Sequence, residues 1–524
     1  MRIGFASVYS WRPHVEHLYF LATLATKAGH EAYFLTCDGD LPDCYIRELR
    51  DKPAWQECLQ CRVGGVRSFT GRNVSSIRTH SRQSASSATV PEEWTFSSAS
   101  TLGRFESDAD YDSDEFRRLV SRLHPAVQLS YQAARTWIQH NELDAVCVFN
   151  GRMDATRAIY EAAKSLGVRV VSLERTWFGD GLQLLPDENC LGLHSVDELV
   201  AEWGTRPLTR EQALLAASQI AGRFQRSNVK EWRAYNTNAK SVAWPVEAHG
   251  RRILLIPSSR NEFWGHSDWK SEWPQPTDAY EALITRLALS PQDMILRCHP
   301  NWGEKIGKQS GAFSERYYMD WAARKGVLCI PSVDTTSTMS LIEQCDAIVV
   351  ASGSAALEAG ILGKQVISTA PSIYQKAGFQ DSMCNPQQLP SLLLHADLEQ
   401  GQRDLLAMHI SRQTLRFCYT MVYRLPQYTG FVKAETTTKY RYNFDADPRR
   451  FVELLRTGRL TADDDVFAHS VAEENEMLDL IAGRDWGSVC RQSAKEEHEF
   501  VPIRRRLLFR PVDLVSNWKP VGDR

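Results

Sequence analysis

Short apolar runs recur along this chain, and a turn and then a helix-period pattern follow most of them. Ile3 to Val8 leads through Ser10-Trp11-Arg12-Pro13 to apolar positions Leu18, Leu21, Leu24 and Ala28, then Gly29 and a second run from Ala32 to Thr36. Spacings of three and four between strand-like runs define a strand-helix-strand unit. Ala145 to Phe149, a helical stretch from Asp154 to Leu166, Gly167 and the run Val168 to Leu173 repeat it. Such alternation requires a parallel sheet with helices on its faces.

The second half restarts the pattern at Ile253 to Pro257 and continues through Met294 to Cys298, Val327 to Ile330, Ala347 to Ala351 and Val366 to Thr369. The expected fold class is α/β, with two Rossmann-like parallel-sheet domains facing a cleft, the GT-B arrangement, and sites at the carboxyl ends of the strands. Expected boundaries are 1–240 for an N-terminal Rossmann-like domain, 250–426 for a C-terminal Rossmann-like domain and 427–524 for a helical extension and tail. The tail would carry helices over Pro448 to Leu455 and Val471 to Ile481. Glu231 to Gly250 reads as the connection, and the stretch 68–113, rich in Ser, Thr and Asp, as a surface excursion or lid.

The chain has 524 residues, with 61 Lys and Arg against 64 Asp and Glu. A net charge of -3 supplies no basic field for a phosphate backbone, so no nucleic-acid partner is expected. No apolar run approaches a membrane span, and Met1-Arg2 enters a strand pattern directly, so a cytoplasmic protein is expected, at most peripheral to the inner face of the plasma membrane.

Chemistry concentrates where strands end. Arg297-Cys298-His299-Pro300-Asn301 follows one strand, and proline fixes its own φ while restricting the residue before it, so His299 can be aimed at a phosphate or leaving group. An ordinary loop histidine is the competing reading. Ala351-Ser352-Gly353-Ser354-Ala355-Ala356-Leu357-Glu358 opens a helix after another strand, and its small residues allow backbone N–H groups to cradle an anion. Glu358 could accept hydrogen bonds from ribose hydroxyls, or simply complement the helix dipole. Asp334 to Thr338 sits before a helix, where Asp334 or a neighbouring hydroxyl would serve as a cap.

The order Pro257-Ser258-Ser259-Arg260-Asn261-Glu262-Phe263, Arg297 to Asn301, Asp334 to Ser337, Ser352 to Ala359, Gly363-Lys364 and Tyr374 resembles the capsule polysaccharide biosynthesis family of GT-B glycosyltransferases, which includes bacterial Kdo transferases using CMP-Kdo. The resemblance covers roughly residues 250 to 380. It implies that His299, Ser352 and Ser354 lie at the phosphate of a CMP donor; Pro300, Ser258, Ser259, Ser337, Gly353 and Glu358 are further donor-binding candidates. The same order is similar to the CDP-glycerol glycerophosphotransferases, so a cytidine nucleotide is better supported than any one transferred group.

In the first half, Phe149-Asn150-Gly151-Arg152 and Leu173-Glu174-Arg175 end adjacent strand patterns and resemble segments of surface-carbohydrate transferases. Glu174 is the leading carboxylate for activating an acceptor hydroxyl or stabilising a cationic centre, with Glu262 second. Arg152 offers a planar fork to an acidic group. A structural ion pair of Glu174 with either arginine competes with this assignment. Arg12 and His14, in the first strand-to-helix turn, join Asn150 and Gly151 as acceptor-binding candidates.

Cys37, Cys44, Cys58 and Cys61 are spaced C-x6-C-x13-C-x2-C, which suggests a structural zinc or an iron-sulfur site. Asp38-Gly39-Asp40 and Asp463-Asp464-Asp465 read as solvated segments, so metal-independent transfer with no catalytic cofactor is expected. Ile503 to Arg510 mixes cations with apolar residues and could touch an anionic membrane surface or pack on the body. The reading that results is transfer from a nucleotide-sugar donor to a glycan or lipid-linked acceptor in surface-polysaccharide synthesis. CDP-glycerol polymerases, a nucleotide-sugar epimerase and a non-catalytic scaffold of an assembly complex share the fold and compete with it.

Overall fold

The computed structural model describes residues 1–524 apart from 51, 83–88, 232–237, 248–249, 307–308, 461–465, 492–498 and 512–524. Asp463 to Asp465 lie outside the described residues, as do parts of the expected excursion, connection and tail.

The first sheet comprises β1 (Arg2–Ser7), β2 (Glu31–Thr36), β3 (Val74–Ser76), β4 (Ala145–Phe149), β5 (Arg169–Glu174) and β6 (Gln183–Pro186), in the order β3-β2-β1-β4-β5-β6. All pairings are parallel except β5 with β6. The second sheet comprises β7 (Ile253–Ile256), β8 (Met294–Arg297), β11 (Leu328–Ile330), β12 (Ala347–Val350), β13 (Gln365–Ser368) and β14 (Gln380–Ser382), in the order β11-β8-β7-β12-β13-β14. Two small antiparallel ribbons, β9 (Lys305–Ile306) with β10 (Gln309–Ser310) and β15 (Val432–Ala434) with β16 (Tyr440–Tyr442), complete the strands.

Both sheets have the same doubly wound order when their strands are counted separately, so the fold is the expected α/β pair of Rossmann-like units. The central strands β4, β7, β8, β12 and β13 are buried along their whole length. Continuous apolar runs with both faces covered have that consequence. Each order reverses between its first and fourth strands, β1 with β4 and β7 with β12, and the loops beyond those strands are the places for a ligand.

Packing departs from chain order. The helices His194–Gly204 and Arg210–Phe224 pack through Val196, Val200, Trp203, Ala217 and Ile220 into the core of the second sheet. The ribbon β15–β16 and the helix Arg449–Thr457 instead return to the first sheet, burying Val432, Tyr442, Phe451 and Leu454 beside Phe5 and Leu21. The helix Ala472–Ala482 packs on the second domain through Met477 and Ile481.

The stretch 68–113 is not the surface excursion its composition suggested. It supplies edge strand β3 and the helix Phe96–Gly103, in which Ser98, Ala99 and Ser100 are fully buried. Small side chains allow this helix to approach its neighbours closely: Asp154 N–H donates to Ser98 Oγ at 2.8 Å, and Ser100 Oγ donates to the Asn261 carbonyl at 3.1 Å. The segment thereby ties the first domain to the loop after β7. Among the described residues, no helix is long and apolar enough to cross a membrane.

Candidate functional site

At the switch point of the second sheet, Ser258 follows β7 and Ser352 follows β12. Ser352 N–H donates to Ser258 Oγ at 3.1 Å, joining the two loops. A Cβ on Gly353 would lie 3.2 Å from that same Oγ, so only glycine seats the turn without moving Ser258. Tyr374 OH donates to the Gly353 carbonyl at 3.3 Å, and Ser354 is exposed immediately before the helix Ala355–Ile361. The sequence-predicted small-residue turn is therefore braced from both sides.

His299 stands half-buried after β8, ahead of Pro300. Its Nδ1 accepts from Asn301 N–H at 3.2 Å, which puts the proton of the neutral ring on Nε2 and makes that atom the donor. Ser259 is committed to the scaffold: Trp302 Nε1 donates to its Oγ at 3.0 Å. Ser337 is likewise a helix cap, its Oγ accepting from Ser340 N–H at 3.3 Å. Glu262 is exposed on the short turn Arg260–Glu262.

Glu358 is buried in an ion-pair network that the sequence did not reveal. Arg223 donates through Nη1 to Glu358 Oε1 at 3.0 Å, and through Nε at 3.0 Å and Nη2 at 2.9 Å to Glu231. Burial pushes the Glu358 carboxyl up, and the Arg223 charge opposes that shift. Glu358 Oε2 is buried without a hydrogen-bond partner among the described residues. An orphaned carboxylate oxygen at this depth can accept from a ligand hydroxyl.

In the first domain, a second constellation forms where β4 and β5 end. Glu174 Oε1 accepts from Arg175 N–H at 2.9 Å and lies 3.6 Å from His14 Nε2. The Glu174 side chain is 27% exposed. Desolvation raises its pKa, and the charges of Arg175 and Arg152 pull it down. His14 is held well below the usual histidine range, first by burial and then by the charges of Arg175 and His17, so it is neutral. The His14 ring packs 4.0 Å from that of Phe149, and His17, pushed to about 3 by burial, is hydrogen-bonded to Tyr442 OH at 3.0 Å.

Arg152 Nη1 donates to Ser97 Oγ at 2.7 Å, and its charge favours the Cys190 thiolate against the burial that pushes this thiol up to about 12. Asn150 is a scaffold residue: its Oδ1 accepts from Arg152 N–H at 3.1 Å and from Thr156 Oγ1 at 3.1 Å. Gly151 has φ +65 and packs against Tyr160 and Asn189. Arg12 is ion-paired with Glu16.

Loops at the carboxyl ends of both sheets meet. Arg104 donates to the carbonyls of Asn301 and Glu304 at 2.7 Å each, Leu193 N–H donates to Asp268 at 3.0 Å, and His266 senses the charges of Arg157 and Arg152. Glu106 is buried at this junction, accepting from Tyr318 OH at 2.9 Å and Arg260 N–H at 3.2 Å, and burial pushes its carboxyl up to about 8. Arg223, Cys190 and Glu106 carry no local sequence signal. Their significance lies in partners remote in the chain.

The four cysteines of the expected zinc site are not gathered into one cluster among the described residues. Among the described residues, no three Cys, His, Asp or Glu side chains converge to hold a metal. Cys58 and Cys61 lie on the helix Ala54–Gly64; Cys58 faces Gly39, while Cys61 is hydrogen-bonded to Ser10. Cys44 instead faces Asp154 and Arg47. Burial pushes the Cys37 thiol up to about 11 and the Cys44 thiol up to about 12.

No family model matches the chain. No curated protein matches it. Among solved structures it is similar to the β-Kdo 2,4 transferase of Thermosulfurimonas dismutans KpsC, at 14% identity over 57% of this chain and 82% of that one, with a TM-score of 0.32. It is also similar to UDP-GlcNAc 2-epimerase from Neisseria meningitidis bound to UDP-GlcNAc, at 10% identity over 78% and 94%, with a TM-score of 0.27. A third likeness is to spinosyn rhamnosyltransferase SpnG complexed with spinosyn aglycone, at 12% identity over 79% and 96%, with a TM-score of 0.26.

Proposed function

We propose that this protein is a GT-B glycosyltransferase of surface-polysaccharide synthesis that moves a sugar from a nucleotide donor, CMP-linked as in CMP-Kdo, to a glycan or glycolipid acceptor. The observation that carries the reading is Glu174, a desolvated but water-accessible carboxylate beside a neutral His14, in the domain whose residues reach the loop carrying His299 through Arg104. In this reading, Ser352, Gly353, Ser354 and Ser258 hold the donor phosphate, with His299 Nε2 donating to it. Glu358 Oε2 accepts from a ribose hydroxyl. Glu174 takes the proton from the acceptor hydroxyl as that oxygen attacks the anomeric carbon and the nucleotide departs. Arg152 and Arg175 keep Glu174 ionised enough to do so. No metal or cofactor enters the scheme.

Calorimetric titration with CMP, CDP, UDP and GDP tests the donor. Selective binding of CMP supports the reading, and preference for UDP or GDP overturns the donor. Incubation of the sugar nucleotide with and without acceptor tests the reaction: transfer requires the acceptor, whereas change in the donor sugar alone would make the protein an epimerase. Binding to none of the four nucleotides would favour a scaffold.

A further inference from the structure

Large apolar side chains are exposed on two adjoining elements of the first domain. The helix Ala54–Gly64 carries Trp55 at 71% exposure and Leu59 at 53%, one turn apart on one face. The segment Val501 to Pro511 is pegged to the carboxyl end of that helix. Arg505, only 3% exposed, donates to the carbonyls of Val63 and Gly64 at 3.2 Å each and to Ser68 Oγ, and its guanidinium lies 4.8 Å from the Phe69 ring centroid. Arg506 N–H adds a bond to the Ser68 carbonyl at 2.8 Å. Directly after this anchor, the turn Leu507–Phe509 presents Leu507 at 73% and Leu508 at 84% exposure.

Single exposed leucines are ordinary, but four large apolar side chains on two touching elements are not. The exposed charges on and directly beside these elements are mostly cations. Lys52, Arg62, Arg504, Arg506 and Arg510 are exposed, the one acid of the helix, Glu57, is buried and paired with Arg50 at 2.6 Å, and Val501 to Pro511 contains no acid. A two-fold contact with a second copy would bring cation against cation. Tryptophan and leucine flanked by arginine and lysine suit the boundary between lipid headgroups and acyl chains.

We propose that the helix Ala54–Gly64 and the segment Val501 to Pro511 form a face that docks on an anionic lipid bilayer. Trp55, Leu59, Leu507 and Leu508 enter the acyl boundary, and the surrounding cations meet lipid phosphates. The docking extends the functional reading by bringing the first domain to a surface where lipid-linked acceptors reside, yet it stands on these residues alone.

The test is sedimentation of the full chain with phosphatidylcholine vesicles with and without about one third phosphatidylglycerol. Binding is expected to the anionic vesicles only, and to weaken with salt. Trp55→Ser, Leu59→Ser, Leu507→Ser and Leu508→Ser together should lower the partition coefficient at least about ten-fold, with melting temperature and nucleotide titration unchanged. Binding to neither vesicle, or equal binding by the substituted chain, overturns the proposal. So does a wild-type dimer, seen by light scattering, that the four substitutions dissolve, since the face would then belong to a second copy. The vesicle assay contains no nucleotide or sugar, so its failure is separate from failure of the transferase reading.

Discussion

His14 Nε2 lies 3.6 Å from Glu174 Oε1, joining the first helix to the end of β5 across 160 positions of sequence. Their surroundings push both toward the neutral form: desolvation lowers His14 and raises Glu174. A histidine that stays neutral cannot hold the carboxylate as an ion pair, which leaves Glu174 to exchange a proton with a substrate rather than with its neighbour.

If Glu174 is the base, Glu174→Gln should reduce turnover by about 100- to 10,000-fold while nucleotide affinity stays within two-fold of wild type, as measured by single-turnover kinetics beside calorimetry. The base works only when ionised, so the wild-type rate should fall as pH drops through a point above the usual glutamate value. Arg175 pulls that pKa down. Arg175→Met should therefore shift the acid limb to higher pH, and an unmoved limb would remove Glu174 from proton transfer.

The Nδ1 bond from Asn301 N–H fixes His299 Nε2 as a donor. His299→Ala should weaken CMP binding by about 10- to 100-fold, the worth of a hydrogen bond to a charged group, without changing the melting temperature. Wild-type affinity in that variant would move the donor site elsewhere.

How far these residues could be read from sequence depended on whether their partners were local. His299 and Ser352 lie just beyond β8 and β12 and Glu174 ends β5, and in a doubly wound sheet the carboxyl ends of such largely apolar strands face the ligand side. The strand and helix positions followed the same periodicity, as in β4 over Ala145–Phe149 and the helix Arg449–Thr457. The helix Phe96–Gly103 was misread because serine and alanine look like loop composition, while their physical use here is close packing. Cysteine spacing says nothing about direction: Cys58 packs on Gly39, Cys61 is hydrogen-bonded to Ser10 and Cys44 lies beside Asp154. Arg223 with Glu358 and Glu106 with Tyr318 pair across 135 and 212 positions, beyond any local pattern.

The Arg223 guanidinium balances two carboxylates in the core of the second domain. Arg223→Met leaves the Glu358 and Glu231 charges without their cation and should cost about 3 to 5 kcal/mol, visible as a lower denaturation midpoint. Glu358→Gln keeps a hydrogen-bond acceptor and leaves Arg223 paired with Glu231, so it should be much milder. Its larger effect should be on nucleotide affinity, through loss of the charged Oε2. Equal destabilisation by both substitutions, with affinity intact in Glu358→Gln, would make Glu358 purely structural.

At the junction of the two domains, Glu106 titrates near 8 because it is buried, against about 4.5 in an unfolded chain. Between those values the native protein holds a proton that the unfolded chain has released. Folding stability from this group therefore falls as pH rises from about 4.5 to 8 and changes little above that window. Glu106→Gln is neutral in both states and keeps an oxygen to accept from Tyr318 OH. It should raise the melting temperature by about 2 °C or more at pH 8 and have little effect near pH 4.5. The measurement is thermal unfolding of both proteins across that range. Parallel curves would mean that Glu106 is ionised in the fold, held by the Arg260 backbone N–H and the nearby Arg260 charge.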